Sequence, residues 1–176
     1  MFSGYGGEIL YRPFGKTFAL GAEAWRVSKR DPFSNFNLRR TDDNYTTGHF
    51  NVFYEIPNKN ITAYGNIGRY LGEDFGATAG LKTWFKNGVT IDGFITATDE
   101  EDIDIFGGSS SLYSGIRLNV PIGNMPYIPN NSAVRFDVSP FGRNYGQKLN
   151  KPFDLYEATE PFSSRQIHQS WSTLLD

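Results

Sequence analysis

The sequence predicts an all-β protein: an antiparallel, up-and-down transmembrane β-barrel of about eight strands, complete or part of a larger barrel, with a short C-terminal helical tail. Three observations predict it. Apolar and polar residues alternate with period two through about eight successive segments, and helical periodicity is almost absent. Aromatic residues make up 16% of the chain although its mean hydropathy is -0.44, a combination that suits strands with one apolar and one polar face. Tight turns at 13–16, 57–60 and 86–88 alternate with connections at 28–43, 71–75 and 99–108, two of them long. Short periplasmic turns facing longer extracellular loops are a mark of outer-membrane barrels.

The first strand, from about Gly6 to Arg12, sets Ile9 and Tyr11 against Glu8 and Arg12, and Pro13-Phe14-Gly15-Lys16 turns the chain. The second carries Phe18, Leu20, Ala22 and Ala24 on one face and Ala19, Gly21, Glu23, Trp25 and Val27 on the other. The third alternates most clearly: Gly48, Phe50, Val52, Tyr54 and Ile56 oppose Thr47, His49, Asn51, Phe53 and Glu55. After the turn at Pro57-Asn58-Lys59-Asn60, the fourth sets Ile61, Ala63, Gly65 and Ile67 against Thr62, Tyr64, Asn66 and Gly68, a pattern that admits either face outward.

The fifth strand pairs Ala77, Ala79, Leu81 and Phe85 against Thr78, Gly80 and Lys82, and Lys86-Asn87-Gly88 is a strong hairpin signal. The sixth answers with Val89, Ile91, Gly93, Ile95 and Ala97 against Thr90, Asp92, Thr96 and Thr98. The seventh sets Leu112, Ser114, Ile116, Leu118 and Val120 against Tyr113, Gly115, Arg117 and Asn119, ending at Pro121. A Pro- and Asn-rich connection leads to the eighth, where Val134, Phe136 and Val138 alternate with Arg135, Asp137 and Ser139.

Strands two, three and seven reach the roughly 9–11 residues needed to cross a bilayer at a tilt, whereas soluble strands average about 5–6. Tyr11, Phe18, Tyr54, Tyr70, Trp84 and Phe85, near strand ends, are candidates for interfacial girdles. Residues 1–140 are therefore expected to be barrel strands and 141–176 an irregular tail. Within the tail Ile167, Trp171, Leu174 and Leu175 fall at helical spacing after Ser163-Ser164, which predicts a short amphipathic helix packed against the barrel end.

With 17 basic and 19 acidic residues the net charge is -2, so there is no basic field for nucleic acid. The chain has no cysteine, which excludes disulfides, thiolate metal sites and a cysteine nucleophile. No apolar run approaches the ~18 residues of a membrane helix, so a membrane-spanning form must be a barrel. The start, Met1-Phe2-Ser3-Gly4-Tyr5, lacks the basic region and apolar run of a secretory signal, and an outer-membrane protein of that kind is expected to be a fragment.

The two histidines, His49 and His168, have no ligand cluster beside them, and no G-x-S-x-G elbow occurs. No metal, cofactor or catalytic residue is assigned. Asp99-Glu100-Glu101-Asp102 and Asp104 lack the ordered spacing of a calcium loop and read as a solvated extracellular loop. The glycines at 4, 6 and 7 precede a strand instead of a helix, which fails the context of a phosphate cradle. The candidate functional residues are the polar ones opposite the apolar face: Glu8, Arg12, Glu23, His49, Asn51, Glu55, Lys82, Asp92, Arg117, Asn119, Arg135 and Asp137. Their mixed sign suits a hydrated barrel interior, where they either contact a passing polysaccharide or pair across strands to fill a narrow lumen.

Several stretches resemble the YjbH family of outer-membrane exopolysaccharide and capsule biosynthesis proteins. These are Gly6-Gly7-Glu8-Ile9-Leu10-Tyr11-Arg12-Pro13-Phe14, Thr46-Thr47-Gly48-His49, and Gly68-Arg69-Tyr70-Leu71 followed by Gly72-Glu73-Asp74-Phe75-Gly76. Ser114-Gly115-Ile116 leading to Pro121, and Leu155-Tyr156, also fit, and the likeness corresponds to the C-terminal part of a longer family member. The resemblance implies a non-enzymatic, lipid-anchored barrel in the bacterial outer membrane that assists exopolysaccharide or capsule production or export. Its implied partners are outer-membrane lipid, surface polysaccharide and other polysaccharide-production proteins. Three alternatives stand beside it: a scaffold barrel binding partners through its loops, a polysaccharide-modifying enzyme using loop carboxylates, and a soluble lipocalin-like barrel. The last requires apolar residues inside and polar residues outside.

Overall fold

Eight strands follow one another, each paired antiparallel with the next, in the order β1-β2-β3-β4-β5-β6-β7-β8. They are β1 (Phe2–Tyr11), β2 (Phe18–Arg30), β3 (Arg40–Glu55), β4 (Ile61–Arg69), β5 (Phe75–Trp84), β6 (Thr90–Ile103), β7 (Ser109–Pro121) and β8 (Ala133–Val138). A short helix α1 (Leu155–Thr159) and a 3-10 turn (Glu160–Phe162) complete the fold. This computed structural model describes residues 2–30, 40–57, 59–85, 87–103, 109–123, 133–139, 145–151, 154–163 and 167. The sheet is open, with β1 and β8 as its edges.

The register turns the alternation of each strand into continuous rows. On one face Ile9, Ala22, Phe50, Ile67, Ala77, Ala97 and Leu112 lie side by side across seven strands. A second apolar row joins Phe18, Tyr54, Ala63, Leu81, Gly93, Ile116 and Val138. These rows are the exposed ones: Ile9 is 70% and Leu112 57% accessible, whereas Glu23, Thr47, His49, Asn51, Thr78 and Thr96 on the other face are buried. A water-soluble fold buries its large apolar side chains. Here the polarity is inverted. The inner face, which carries the tail, is polar, contrary to the lipocalin-like alternative, and the fourth strand is settled with Thr62, Tyr64, Asn66 and Gly68 inward.

Local chemistry places the turns. Ile56 N–H donates to the Ile61 carbonyl at 2.9 Å, and Lys16 N–H to the Pro13 carbonyl at 3.2 Å. In the β5–β6 hairpin Phe85 N–H donates to Val89 O and Gly88 N–H to Phe85 O, both at 2.9 Å. Gly88 holds φ +83, a conformation that any Cβ would strain.

The loop asymmetry takes a different form from that expected. Pairing continues past the end of the alternation, so the connections expected at 28–43 and 99–108 shrink to 31–39 and 104–108. Register shifts between Ser28 and Arg30, and between Ala97 and Asp102, mark where the regular part ends. The β2–β3 and β6–β7 hairpins consequently extend beyond β4 and β5. Backbone pairing does not require side-chain alternation, because its hydrogen bonds join main-chain groups. Because strand directions alternate, the connection at 122–132 lies at the same end as the tight turns, so loop length alone does not separate the two ends.

Candidate functional site: a polar inner face occupied by the tail

The inner face is built in rows by the same register. Glu8, Glu23 and His49 lie side by side on β1, β2 and β3. The next row runs Asn51, Asn66, Thr78, Thr96 and Tyr113. Then come Phe53, Tyr64, Gly80, Phe94 and Gly115, followed by Glu55, Thr62, Lys82, Asp92, Arg117 and Asp137. The last of these runs through Lys82, Asp92, Arg117 and Asp137 with alternating sign, and opposite charges across strands are mutually stabilising.

Hydrogen bonds stitch the rows. The Tyr70 hydroxyl lies 2.9 Å from Asn66 Oδ1 and 2.6 Å from Thr78 Oγ1, and Thr78 lies 2.7 Å from Thr96 Oγ1. Burial pushes the Tyr70 phenol up to about 12. The His49 and Tyr70 rings meet in an edge-type contact, with centroids 4.7 Å apart and planes inclined by 62°, and His49 Nδ1 lies 3.3 Å from Glu23 Oε1. The Tyr64 hydroxyl donates to Asp92 Oδ1 at 2.7 Å, reached by laying its ring over Gly80, where a Cβ would come within 2.3 Å of Cζ. Arg117 lies 3.3 Å from Asp92 and 3.6 Å from Asp137, with its guanidinium 4.2 Å from the Phe94 ring centre.

The tail lies along this face and supplies cations to Glu8 and Glu23. Gly146 N–H donates to Asp74 Oδ2 at 2.8 Å and Leu71 N–H to the Gln147 carbonyl at 3.0 Å, tying the tail to the β4–β5 connection. Lys148 Nζ reaches Glu23 Oε1 at 2.6 Å and Asn51 Oδ1 at 2.8 Å. Lys151 Nζ lies 2.8 Å from Glu8 and 2.7 Å from Glu23. Burial works against the Lys151 charge, but bonds to Glu23 and Glu8 outweigh it and hold the ammonium above the usual lysine range.

Asp154 then caps α1, accepting from Tyr156 N–H at 2.9 Å and Glu157 N–H at 3.3 Å. The helix places the Tyr156 ring flat on Phe53, centroids 3.9 Å apart, and Glu157 2.5 Å from Lys82. Arg12, just past β1, crosses the other side of Tyr156 at 4.6 Å and ion-pairs with Glu55 and Glu160. Asp74 is held above the usual carboxylate range by burial, an effect only partly offset by backbone hydrogen bonds that include Gly146 N–H.

The structure thus places all the polar candidates on one face and divides them into two groups. Glu8, Arg12, Glu23, His49, Asn51 and Glu55 lie beneath the tail, where all but His49 bond it directly. Lys82, Asp92, Arg117, Asn119, Arg135 and Asp137 line a cavity of about 500 Å3 between tail and sheet; the groups overlap, since Asn51 also lines it and Lys82 pairs with Glu157 of the tail. Lys148, Lys151, Tyr156 and Glu160 escape the sequence reading because they lie in a segment without alternation. Their only signal was the Leu155-Tyr156 resemblance. The described tail runs across the inner face, while the packing of the helix expected after Ser163-Ser164 lies outside the described residues. The described tail carries α1, a helix the sequence reading did not name, and at the start of the expected helix Ile167 N–H donates to the Ser163 carbonyl at 3.0 Å. Ser163 closes the 3-10 turn, while Ser164, His168, Trp171, Leu174, Leu175 and Asp104 lie outside the described residues. Among the described residues no group of His, Asp and Glu is arranged to hold a metal ion, and no helix is long and apolar enough to cross a membrane.

Fold and site together define a β-meander of inverted polarity, apolar outside, with a charged inner face covered in part by its own C-terminal segment. The chain belongs to the YjbH family, whose model, described as "Exopolysaccharide biosynthesis protein YbjH", matches residues 1–161. The Escherichia coli (strain K12) protein named "Uncharacterized lipoprotein YjbH" is 30% identical over 162 residues, which is 90% of this chain. The chain spans 23% of that relative's length. No solved structure matches.

Proposed function

We propose that this chain forms part of the wall of an outer-membrane β-barrel that assists exopolysaccharide or capsule production or export without catalysing a reaction. The observation that carries the reading is the inverted polarity. Continuous apolar rows on the outer face suit lipid, and a charged inner face suits a hydrated interior. Family membership supplies the link to exopolysaccharide, and the relative's lipoprotein name points to the cell envelope. In this reading the open edges of β1 and β8 are closed by each other or by further strands of a longer protein.

This chain has no cysteine, so only free cysteines elsewhere in the full-length protein need replacing by serine before site-directed labelling. Single cysteines at Phe50, Ile67 and Leu81, and at the inner-face positions Arg117 and Asp137, whose side chains are accessible, would carry spin labels in the full-length protein reconstituted in bilayers. Labels in the first set should be relaxed by lipid-dissolved oxygen and those in the second by a water-soluble nickel chelate. Equal access of the nickel chelate to both sets would remove the membrane-wall reading. Neutralising Asp99, Glu100, Glu101 and Asp102 should leave polysaccharide chain length unchanged, and a changed length would favour a modifying enzyme.

A scaffold barrel is the second reading, and the filling of the inner face by residues 145–163 favours it. Deleting those residues separates the two: a loss of exported polysaccharide without any change in ion conductance supports a scaffold.

A further inference from the structure

The tail crosses the inner face between the β4–β5 connection and Glu8 of β1, and between it and the sheet lies a cavity lined from β3 to β8. Its volume of about 500 Å3 falls within the ~300–1,000 Å3 of small-molecule sites. Among the described residues five cationic side chains line it, and four are matched: Lys82, Arg117, Lys148 and Lys151 each lie within ion-pair distance of a carboxylate. Arg135 has no partner among the described residues. Its cross-strand neighbour Asn119 and the Tyr113 hydroxyl also face the cavity without a side-chain partner among the described residues.

One unmatched guanidinium flanked by neutral hydrogen-bonding groups is a specific chemical preference. A guanidinium fork matches a carboxylate with two parallel hydrogen bonds. Amide and phenol groups match sugar hydroxyls, which both donate and accept. Asp92 and Asp137 are held by Arg117, so they do not compete for the Arg135 fork.

We propose that this cavity is a binding subsite for an acidic sugar unit, with Arg135 taking its carboxylate and Asn119 and Tyr113 its hydroxyls. The inference rests on the polysaccharide reading above and names the class of saccharide.

The test is a titration of the full-length protein in detergent micelles with three probes: a hyaluronan tetrasaccharide, the same tetrasaccharide with its carboxyls reduced to alcohols, and inorganic phosphate. The acidic tetrasaccharide should bind about tenfold more tightly than the reduced form, the ratio expected for one charge-assisted contact. Arg135→Gln should bring its affinity down to that of the reduced form, and Arg135→Lys should recover only part of the difference. Asn119→Ala should weaken both tetrasaccharides alike. Equal affinity for acidic and reduced forms, no binding of either, or an unchanged ratio in Arg135→Gln would each overturn the proposal. Phosphate binding as tightly as the acidic tetrasaccharide would reduce the site to a plain anion contact and overturn it too. Arg135 is exposed on an edge strand, so its variants should fold. Spin labels reporting lipid around the outer face together with absent saccharide binding would sink this inference alone. Selective binding with labels that report water would sink the membrane wall and leave the subsite standing.

Discussion

Lys151 Nζ sits 2.7 Å from Glu23 Oε2, joining the tail to β2 across 128 residues of chain. The contact resolves a conflict within the sheet. Glu8 and Glu23 are direct cross-strand partners, and like charges directly opposite one another are destabilising. Lys151 bonds both carboxylates, so β1 and β2 carry their facing charges only while the tail is docked. Replacing Lys151 by Met should cost about 3 kcal/mol, because it leaves buried carboxylates short of a partner. Hydrogen exchange should show residues 145–163 losing protection, and Glu23→Gln in the same protein should restore part of it. A Lys151→Met protein with unchanged tail protection would contradict this account.

The Tyr156 ring is the apolar contact of the docked tail, lying between Phe53 and Arg12. Truncation to Ala should destabilise the tail by about 3 kcal/mol, in the range for buried aromatic-to-Ala changes. Phe at this position keeps the stack and loses only hydroxyl bonds, so its cost should be about 1 kcal/mol. Limited proteolysis between the end of β8 and α1 distinguishes them, and similar cleavage rates for both variants would argue against the stack.

Asp74 gives the docking a pH dependence with a definite sign. Burial raises its folded pKa, so its contribution to stability is complete below the ordinary aspartate range and is lost as pH rises through the raised value. Asp74→Asn should therefore flatten the dependence and hold or raise stability near neutral pH, since the amide oxygen still accepts from Gly146 N–H. Gly146 amide protection, corrected for intrinsic exchange between about pH 4 and pH 7, reads the effect. A marked loss of protection in Asp74→Asn at neutral pH would reverse the sign.

Two glycines on opposite faces of the sheet should respond unequally to the same change. A methyl group on Gly80 would meet the Tyr64 ring, whereas one on Gly93, on the outer face, meets nothing within 4 Å. Gly80→Ala should displace the Tyr64 ring from Asp92 and cost about 1–3 kcal/mol, as overpacking does. Gly93→Ala should stay within about 0.5 kcal/mol. Thermal unfolding of the two variants side by side checks this, and equal shifts would contradict the packing described here.

Much of the meander was legible because alternation records which face each strand side chain occupies. Phe50 and His49 are adjacent in sequence, yet they fall on opposite faces in every reading of β3. The extensions of β2 and β6 were not legible, since pairing beyond the regular sheet needs backbone hydrogen bonds and no side-chain pattern. The polar candidates of the inner face could be named, but not their partners. Glu23 carries no mark in the sequence that its cations are Lys148 and Lys151.

The sequence by itself determined the strand count, the antiparallel order and which side chains share a face, because period two is a local property of extended chain. Only the tertiary structure decided that residues 145–151 and 154–163 lie on the polar face. That docking depends on charges brought together from distant segments, Glu8 and Glu23 with Lys151, and Arg12 with Glu55 and Glu160. Long-range complementarity of this kind leaves no periodic trace in the chain.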